Sequence, residues 1–110
     1  MDFQLEEKYQ TVVRDLAKVH GLNLDMQSII FLIGVRELGE GTRKFSKKEK
    51  LDLMHISICK LLEPFGFYSF SGNDDDGWPH YKRNEELPHL ESKEQQELLK
   101  RAIVDYFEKL

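Results

Sequence analysis

Residues 46–64 read SKKEKLDLMHISICKLLEP and predict the helix around which the fold is built. Ser46 and Glu49 form a capping box, in which the hydroxyl and the carboxylate each bind a backbone N–H that a helix start leaves without a partner. Pro64 ends the segment because proline lacks an amide hydrogen and cannot continue the helical ladder. Apolar residues lie on two sides of the segment, which is typical of a helix packed between neighbours.

Three further segments have the spacing of apolar residues that a helix requires. They run from about Phe3 to His20, from about Asp25 to Leu38, and from Ser92 to Leu110. The second is apolar over more than one face, so we expect it beside residues 46–64 at the centre of the fold. A buried strand over Ile29 to Val35 is the alternative there, but the Asp before the segment and the Gly after it favour a helix.

Aromatic residues dominate the segment between the third and the last helix. Half of the chain's aromatic residues lie there: Phe65, Phe67, Tyr68, Phe70, Trp78 and Tyr81. Aromatic side chains favour strands, and the Asn, Asp and Gly residues at 73–77 tolerate the dihedral angles of a turn. Pro79 places the second strand at an edge. The chain is therefore predicted to be mainly α, with about four helices and a β-hairpin inserted before the last helix, in a single helical domain over residues 1–110.

The composition limits the classes of protein to which the chain can belong. The 20 acidic residues outnumber the 16 basic residues. This balance disfavours a nucleic-acid partner, because phosphate backbones are bound by basic surfaces. The single cysteine excludes an intramolecular disulfide. No apolar run approaches the roughly 20 residues that span a bilayer, and the acidic N-terminus is unlike a signal peptide. We therefore expect a cytoplasmic protein without a membrane partner, either a monomer or a homodimer.

A metal site is one interpretation of the histidines and the cysteine. His55 and Cys59 are four residues apart, so one helix face presents both, and their side chains are good zinc ligands. His80, Asp74 and Asp76 would complete the site if the hairpin folds over the helix. The alternative is that Cys59 is a small core residue and His55 a partly buried helix residue, in which case no cofactor is expected.

Catalysis is a second interpretation of the same helix. Asp52 and His55 are three residues apart, and a hydrogen bond between them would begin a general base. Cys59 would then be the nucleophile. The sequence contains neither a Gly-x-Ser-x-Gly elbow nor a phosphate-binding glycine loop. The chain is therefore interpreted as non-enzymatic, with a small metal-dependent or Cys/His enzyme as the alternative.

A basic segment precedes and begins the third helix. Its members are Arg43, Lys44, Lys47, Lys48 and Lys50. The positive end of the helix dipole adds to their charge, which indicates a site for an anion or for RNA. The alternative is a solvated charged face, and the overall acidity of the chain favours that alternative.

The aromatic hairpin is the strongest functional signal in the sequence. Side chains alternate between the two faces of a strand, so Trp78 and Tyr81 would point to opposite faces. One layer of helices cannot cover both faces, and exposed aromatic side chains are enriched at binding hot spots. The alternative is that the helices or residues 85–91 cover the second face. The expected function is a non-enzymatic protein-binding or regulatory module that uses Tyr68, Phe70, Trp78, His80 and Tyr81.

Several short stretches resemble a small bacterial family of uncharacterised proteins of about this length. They are Asp52-Leu53-Met54-His55-Ile56, then Cys59, Pro64-Phe65-Gly66-Phe67-Tyr68, and Asp75-Asp76-Gly77-Trp78-Pro79-His80. The resemblance covers most of the chain. It implies no activity, substrate or partner, and it assigns no role to any residue.

Overall fold

The computed structural model describes residues 3–21, 24–41, 43–84 and 92–110. The elements in chain order are α1 (Phe3–His20), α2 (Met26–Leu38), α3 (Lys47–Leu62), a short 3-10 helix (Glu63–Phe65), β1 (Tyr68–Asn73), β2 (Pro79–Arg83) and α4 (Ser92–Glu108). Four helices with a hairpin before the last one confirm the fold class that the sequence predicts. Among the described helices, none combines the length and the apolarity needed to cross a membrane.

Both ends of α3 follow the local signals in the sequence. The backbone N–H of Glu49 donates to Ser46 Oγ at 3.1 Å, and the backbone N–H of Ser46 donates to Glu49 Oε1 at 2.9 Å. The predicted capping box is therefore confirmed. The helix ends at Leu62, and a single 3-10 turn carries Pro64 before Gly66 reverses the chain with φ of 87°.

Residues 29–35 lie within α2, so the alternative of a buried strand is wrong. Asp25 caps the helix by accepting a hydrogen bond from the backbone N–H of Ser28 at 2.8 Å. Gly39 ends it in the left-handed conformation, with φ of 75°. Helix α2 packs directly against α3, and a Cβ atom on Gly34 would clash with the carbonyl oxygen of Leu53. The absence of a side chain at this position allows the close approach of the two helices.

The chain divides into two compact units. One contains α1 and α4, which pack against each other. In that unit Lys100 Nζ donates to Glu6 Oε2 at 2.9 Å and lies 5.2 Å from the ring centre of Tyr9. The other unit contains α2, α3 and the hairpin. The interpretation of residues 1–110 as one domain stays a prediction.

The hairpin is antiparallel, and Phe70 and Tyr81 are direct cross-strand partners. A bulge follows Phe70, and β2 begins at Pro79 opposite Asn73. The hairpin packs on α3, where the ring of Tyr68 meets the ring of His55 edge to face at 6.4 Å between centres. This packing places the hairpin turn beside the first half of α3. The predicted cover of the second face by residues 85–91 lies outside the described residues.

Candidate functional site

An open cleft of about 480 Å³ lies between α3 and the hairpin. All five residues that the sequence marked as metal-ligand candidates line it: His55, Cys59, Asp74, Asp76 and His80. The residues from α3 form one wall, and the residues of the turn and of β2 form the other. The folding of the hairpin over α3, on which the metal interpretation depended, is therefore what the structure shows.

Two polar pairs face this cleft, one on each wall. On α3, Cys59 Sγ lies 3.6 Å from His55 Nε2. On the hairpin, His80 Nε2 lies 2.9 Å from Asp74 Oδ2. Across residues 3–21, 24–41, 43–84 and 92–110, no three His, Cys, Asp or Glu side chains come together as a group that could hold a metal ion. The cleft thus collects the candidates without assembling them around an ion, and the zinc site stays a prediction.

Asp74 organises the turn of the hairpin. Its Oδ1 accepts hydrogen bonds from the backbone N–H groups of Asp76 and Trp78, each at 2.9 Å. Its Oδ2 accepts from His80 Nε2, because an ionised carboxylate has no proton to donate. The bond from His80, followed by the N–H of Trp78, lowers the pKa of Asp74 below its usual value of 3.8. Three bonds to one carboxylate are the arrangement of a side chain that holds a turn together.

The cysteine is poorly suited to nucleophilic chemistry. Cys59 is 1% exposed, and burial raises the pKa of its thiol to about 11. About one molecule in ten thousand would then carry the reactive thiolate at pH 7. The hydrogen bond predicted between Asp52 and His55 does not form in the described structure, where His55 turns toward Cys59 instead. The catalytic interpretation is therefore met in part: His55 lies beside Cys59, but Asp52 does not orient the imidazole.

The aromatic residues of the hairpin divide into two that anchor it and two that reach its surface. Tyr68 is 9% exposed, and Trp78 is half-buried against the core residues Leu38, Phe45 and Leu53. Phe70 is 51% exposed and meets the half-buried Tyr81 edge to face, with 5.6 Å between ring centres. Of the aromatic residues predicted for the binding surface, Phe70 is therefore the exposed one, Trp78 and Tyr81 are half-buried, and Tyr68 is buried.

Arg43, the first residue of the predicted anion site, is occupied within the chain. It binds Glu40 at 3.0 Å and Glu49 at 2.9 Å, and its guanidinium lies 4.3 Å from the ring centre of Phe45. The hydrogen bond to Glu49 makes the largest contribution to raising the pKa of Arg43. Lys44, Lys47 and Lys48 are exposed. The basic segment thus offers lysines to an anion, while Arg43 serves to fix the chain before α3.

No family model matches the chain, and neither the curated proteins nor the solved structures contain a match to it. The resemblance to a bacterial family therefore stays an expectation. The cleft and the pair Phe70–Tyr81 are therefore the features from which a function can be inferred.

Proposed function

We propose that this chain is a non-enzymatic binding module that holds a protein partner on the face formed by α3 and the hairpin. The observation that carries the proposal is the exposed ring of Phe70, which meets the half-buried Tyr81 on a hairpin whose other aromatic residues anchor it. Aromatic side chains supply large contact areas with few rotatable bonds, and they are enriched at the centres of protein interfaces. Tyr81 also lines the cleft, so the aromatic surface and the cleft are continuous.

The surroundings of Phe70 hold it in place. Its backbone N–H donates to Glu63 Oε2 at 3.1 Å, which ties β1 to the end of α3. At the same end of the hairpin, the Asn84 side chain donates to Ser69 Oγ at 2.6 Å. A surface that is already ordered before binding loses less conformational entropy when a partner docks. The hairpin is therefore suited to recognition by a preformed surface.

The polar groups of the cleft favour a binding site over a catalytic site. The Cys59 thiol is protonated at neutral pH. His80 Nε2 is bound to Asp74, so Nδ1 is the ring nitrogen that is left for a further hydrogen bond. A protonated thiol is a weak nucleophile, so Cys59 does not supply the activated group that a Cys/His enzyme would use.

Peptide selection on the immobilised full chain tests the proposal. A phage-displayed library of random dodecapeptides would be selected on the chain, and the binding of the recovered peptides would be compared between the natural chain and two variants. Phe70→Ala removes the exposed ring. Leu51→Ala is the matched control, because Leu51 is 62% exposed on α3 and does not line the cleft.

We expect Phe70→Ala to lower the affinity of the recovered peptides by roughly tenfold or more, as for the loss of an aromatic hot spot. Leu51→Ala should leave their affinity unchanged. Peptides that bind Phe70→Ala as tightly as the natural chain would contradict the proposal, as would a selection that recovers no specific binder.

A further inference from the structure

We infer that the cleft between α3 and the hairpin receives a cationic side chain, arginine or lysine, of the partner that docks on Phe70 and Tyr81. The inference rests on the proposed function and names the chemistry of the bound segment. An apolar side chain of the partner would contact the aromatic pair, and a neighbouring basic side chain would enter the cleft. The charge, the aromatic lining and the size of the cleft all suit such a side chain.

The charge of the cleft is negative. Asp52 contributes a carboxylate from α3, and Asp76 contributes one from the turn. Within the described ranges, no ion pair involves either of these two carboxylates. By contrast, Glu49 is neutralised by Arg43, and Asp74 is committed to His80. Among the described residues that line the cleft, Lys48 is the one lysine or arginine, and it offsets only part of this charge.

Aromatic rings stand beside these carboxylates. Trp78 and Tyr81 both line the cleft, and a cation is attracted to the face of an indole or phenol ring. A ring combined with carboxylates is the environment that suits a guanidinium or an ammonium group. An anionic or purely apolar group would meet repulsion or would leave the carboxylates without a partner.

The chain already binds one of its own guanidinium groups in this way. Arg43 lies over the ring of Phe45 while Glu40 and Glu49 bind its nitrogens at 3.0 Å and 2.9 Å. Glu49 is itself a lining residue of the cleft. The cleft brings the same kinds of group together, since Trp78 and Tyr81 supply rings and Asp52 and Asp76 supply carboxylates. A volume of about 480 Å³ also accommodates an arginine or lysine side chain.

Two tripeptides that differ only in charge test the inference. The probes are acetyl-Phe-Gly-Arg-amide and acetyl-Phe-Gly-citrulline-amide, because citrulline has nearly the shape of arginine without its positive charge. Each would be titrated into the ¹⁵N-labelled full chain at low salt, with the Trp78 indole N–H and the backbone amides followed by NMR. Low salt is chosen because ions screen attractions at an open site.

Two variants separate the effect of the carboxylates that line the cleft from the effect of a nearby carboxylate that does not. Asp52→Asn combined with Asp76→Asn removes the two cleft carboxylates that have no cation of their own. Asp75→Asn is the matched control, because Asp75 belongs to the same turn but does not line the cleft. The arginine probe should bind the natural chain and the Asp75→Asn control at least fivefold more tightly than the citrulline probe. The double variant should bind the two probes equally.

The outcomes separate this inference from the proposed function. If both probes bind the natural chain equally, the inference of a cationic side chain is wrong. If Phe70→Ala also abolishes that equal binding, the result still supports the aromatic surface as a docking site. If the preference for the arginine probe is unchanged in Phe70→Ala, the cleft binds a cationic side chain but Phe70 does not take part in docking, which contradicts the proposed function. A preference lost in Asp75→Asn as much as in the double variant shows a general effect of charge and overturns the inference. The absence of binding by either probe also overturns it.

Discussion

His80 Nε2 donates a hydrogen bond of 2.9 Å to Asp74 Oδ2, and this bond joins the end of one strand to the start of the next. The same carboxylate accepts the backbone N–H groups of Asp76 and Trp78. The pair therefore fixes the turn that carries one wall of the cleft. Trp78, which is held by this turn, reaches from the hairpin into the cluster formed by Leu38, Phe45 and Leu53.

The Asp74 carboxylate predicts a stability that depends on pH. Because these hydrogen bonds lower the pKa of Asp74 in the folded chain, its contribution is fully present above the unfolded value of 3.8 and is lost as the pH falls through the folded value. Asp74→Asn should therefore lower the urea midpoint of unfolding at pH 6. The difference from the natural chain should shrink as the pH falls from 3.8 toward 2.5, because a growing fraction of the Asp74 carboxylate is then protonated.

Comparing the two chains at each pH removes the effects of the carboxylates that they share. Asp75→Asn should change the urea midpoint little at either pH, because its side chain takes no part in the bonds that hold the turn. A gap between Asp74→Asn and the natural chain that stays constant from pH 6 to pH 2.5 would show that the charge of Asp74 does not stabilise the turn.

The buried thiol predicts slow chemistry at Cys59. A thiol that is 1% exposed and has a pKa of about 11 should react with Ellman's reagent at pH 8 far more slowly than the same thiol in the unfolded chain. The rate in urea measures the accessible thiol and serves as the reference. A native rate close to the unfolded rate would indicate an activated cysteine and would favour the Cys/His enzyme over the binding module.

The contact between Gly34 and Leu53 predicts an unusual response to alanine. In an exposed helix, Gly→Ala is stabilising by roughly 1 kcal/mol, because glycine has the poorer helix propensity. At Gly34 the new Cβ would clash with the backbone of α3, so we expect a net loss of about 1–3 kcal/mol of unfolding free energy. Gln27→Ala, at an exposed position of the same helix, should change the stability by less than about 0.5 kcal/mol. Stabilisation by Gly34→Ala would mean that the two helices do not approach closely here.

We expect replacement of Trp78 to lower the stability of the fold rather than to weaken binding alone. Its ring packs against the core of the second unit, so Trp78→Ala should cost about 2–3 kcal/mol in urea unfolding, which is less than a fully buried tryptophan. Phe70→Ala should cost less than about 1 kcal/mol, because half of that side chain is exposed. Equal costs for the two changes would contradict the division of the aromatic residues into anchors and surface.

Sequence reasoning succeeded where the determining contacts are local. The capping box of Ser46 and Glu49, the N-cap of Asp25 and the end of α3 before Pro64 depend on residues within one helical turn. The hairpin followed equally from turn residues between two aromatic segments. These signals do not require knowledge of which elements pack together.

The arrangement of the site depends on contacts between residues distant in sequence. Nothing near Trp78 indicates that its ring packs on Phe45 and Leu53, and alternation along a strand cannot tell which face meets the helices. Likewise, the sequence of the basic segment does not indicate that Arg43 forms ion pairs with both Glu40 and Glu49. The sequence therefore identified most residues of the cleft and included Phe70 and Tyr81 in the binding surface, but it did not reveal that Tyr68 and Trp78 pack inward.

The most direct test of the central claim is to map where a selected peptide binds. A dodecapeptide recovered on the natural chain would be titrated into the ¹⁵N-labelled chain, and the shifts of all backbone amides would be measured. We expect the largest shifts at Phe70, Tyr81 and the cleft residues of α3. Shifts concentrated at Lys44 and Lys47, or in α1 and α4, with Phe70 and Tyr81 unchanged would contradict the claim.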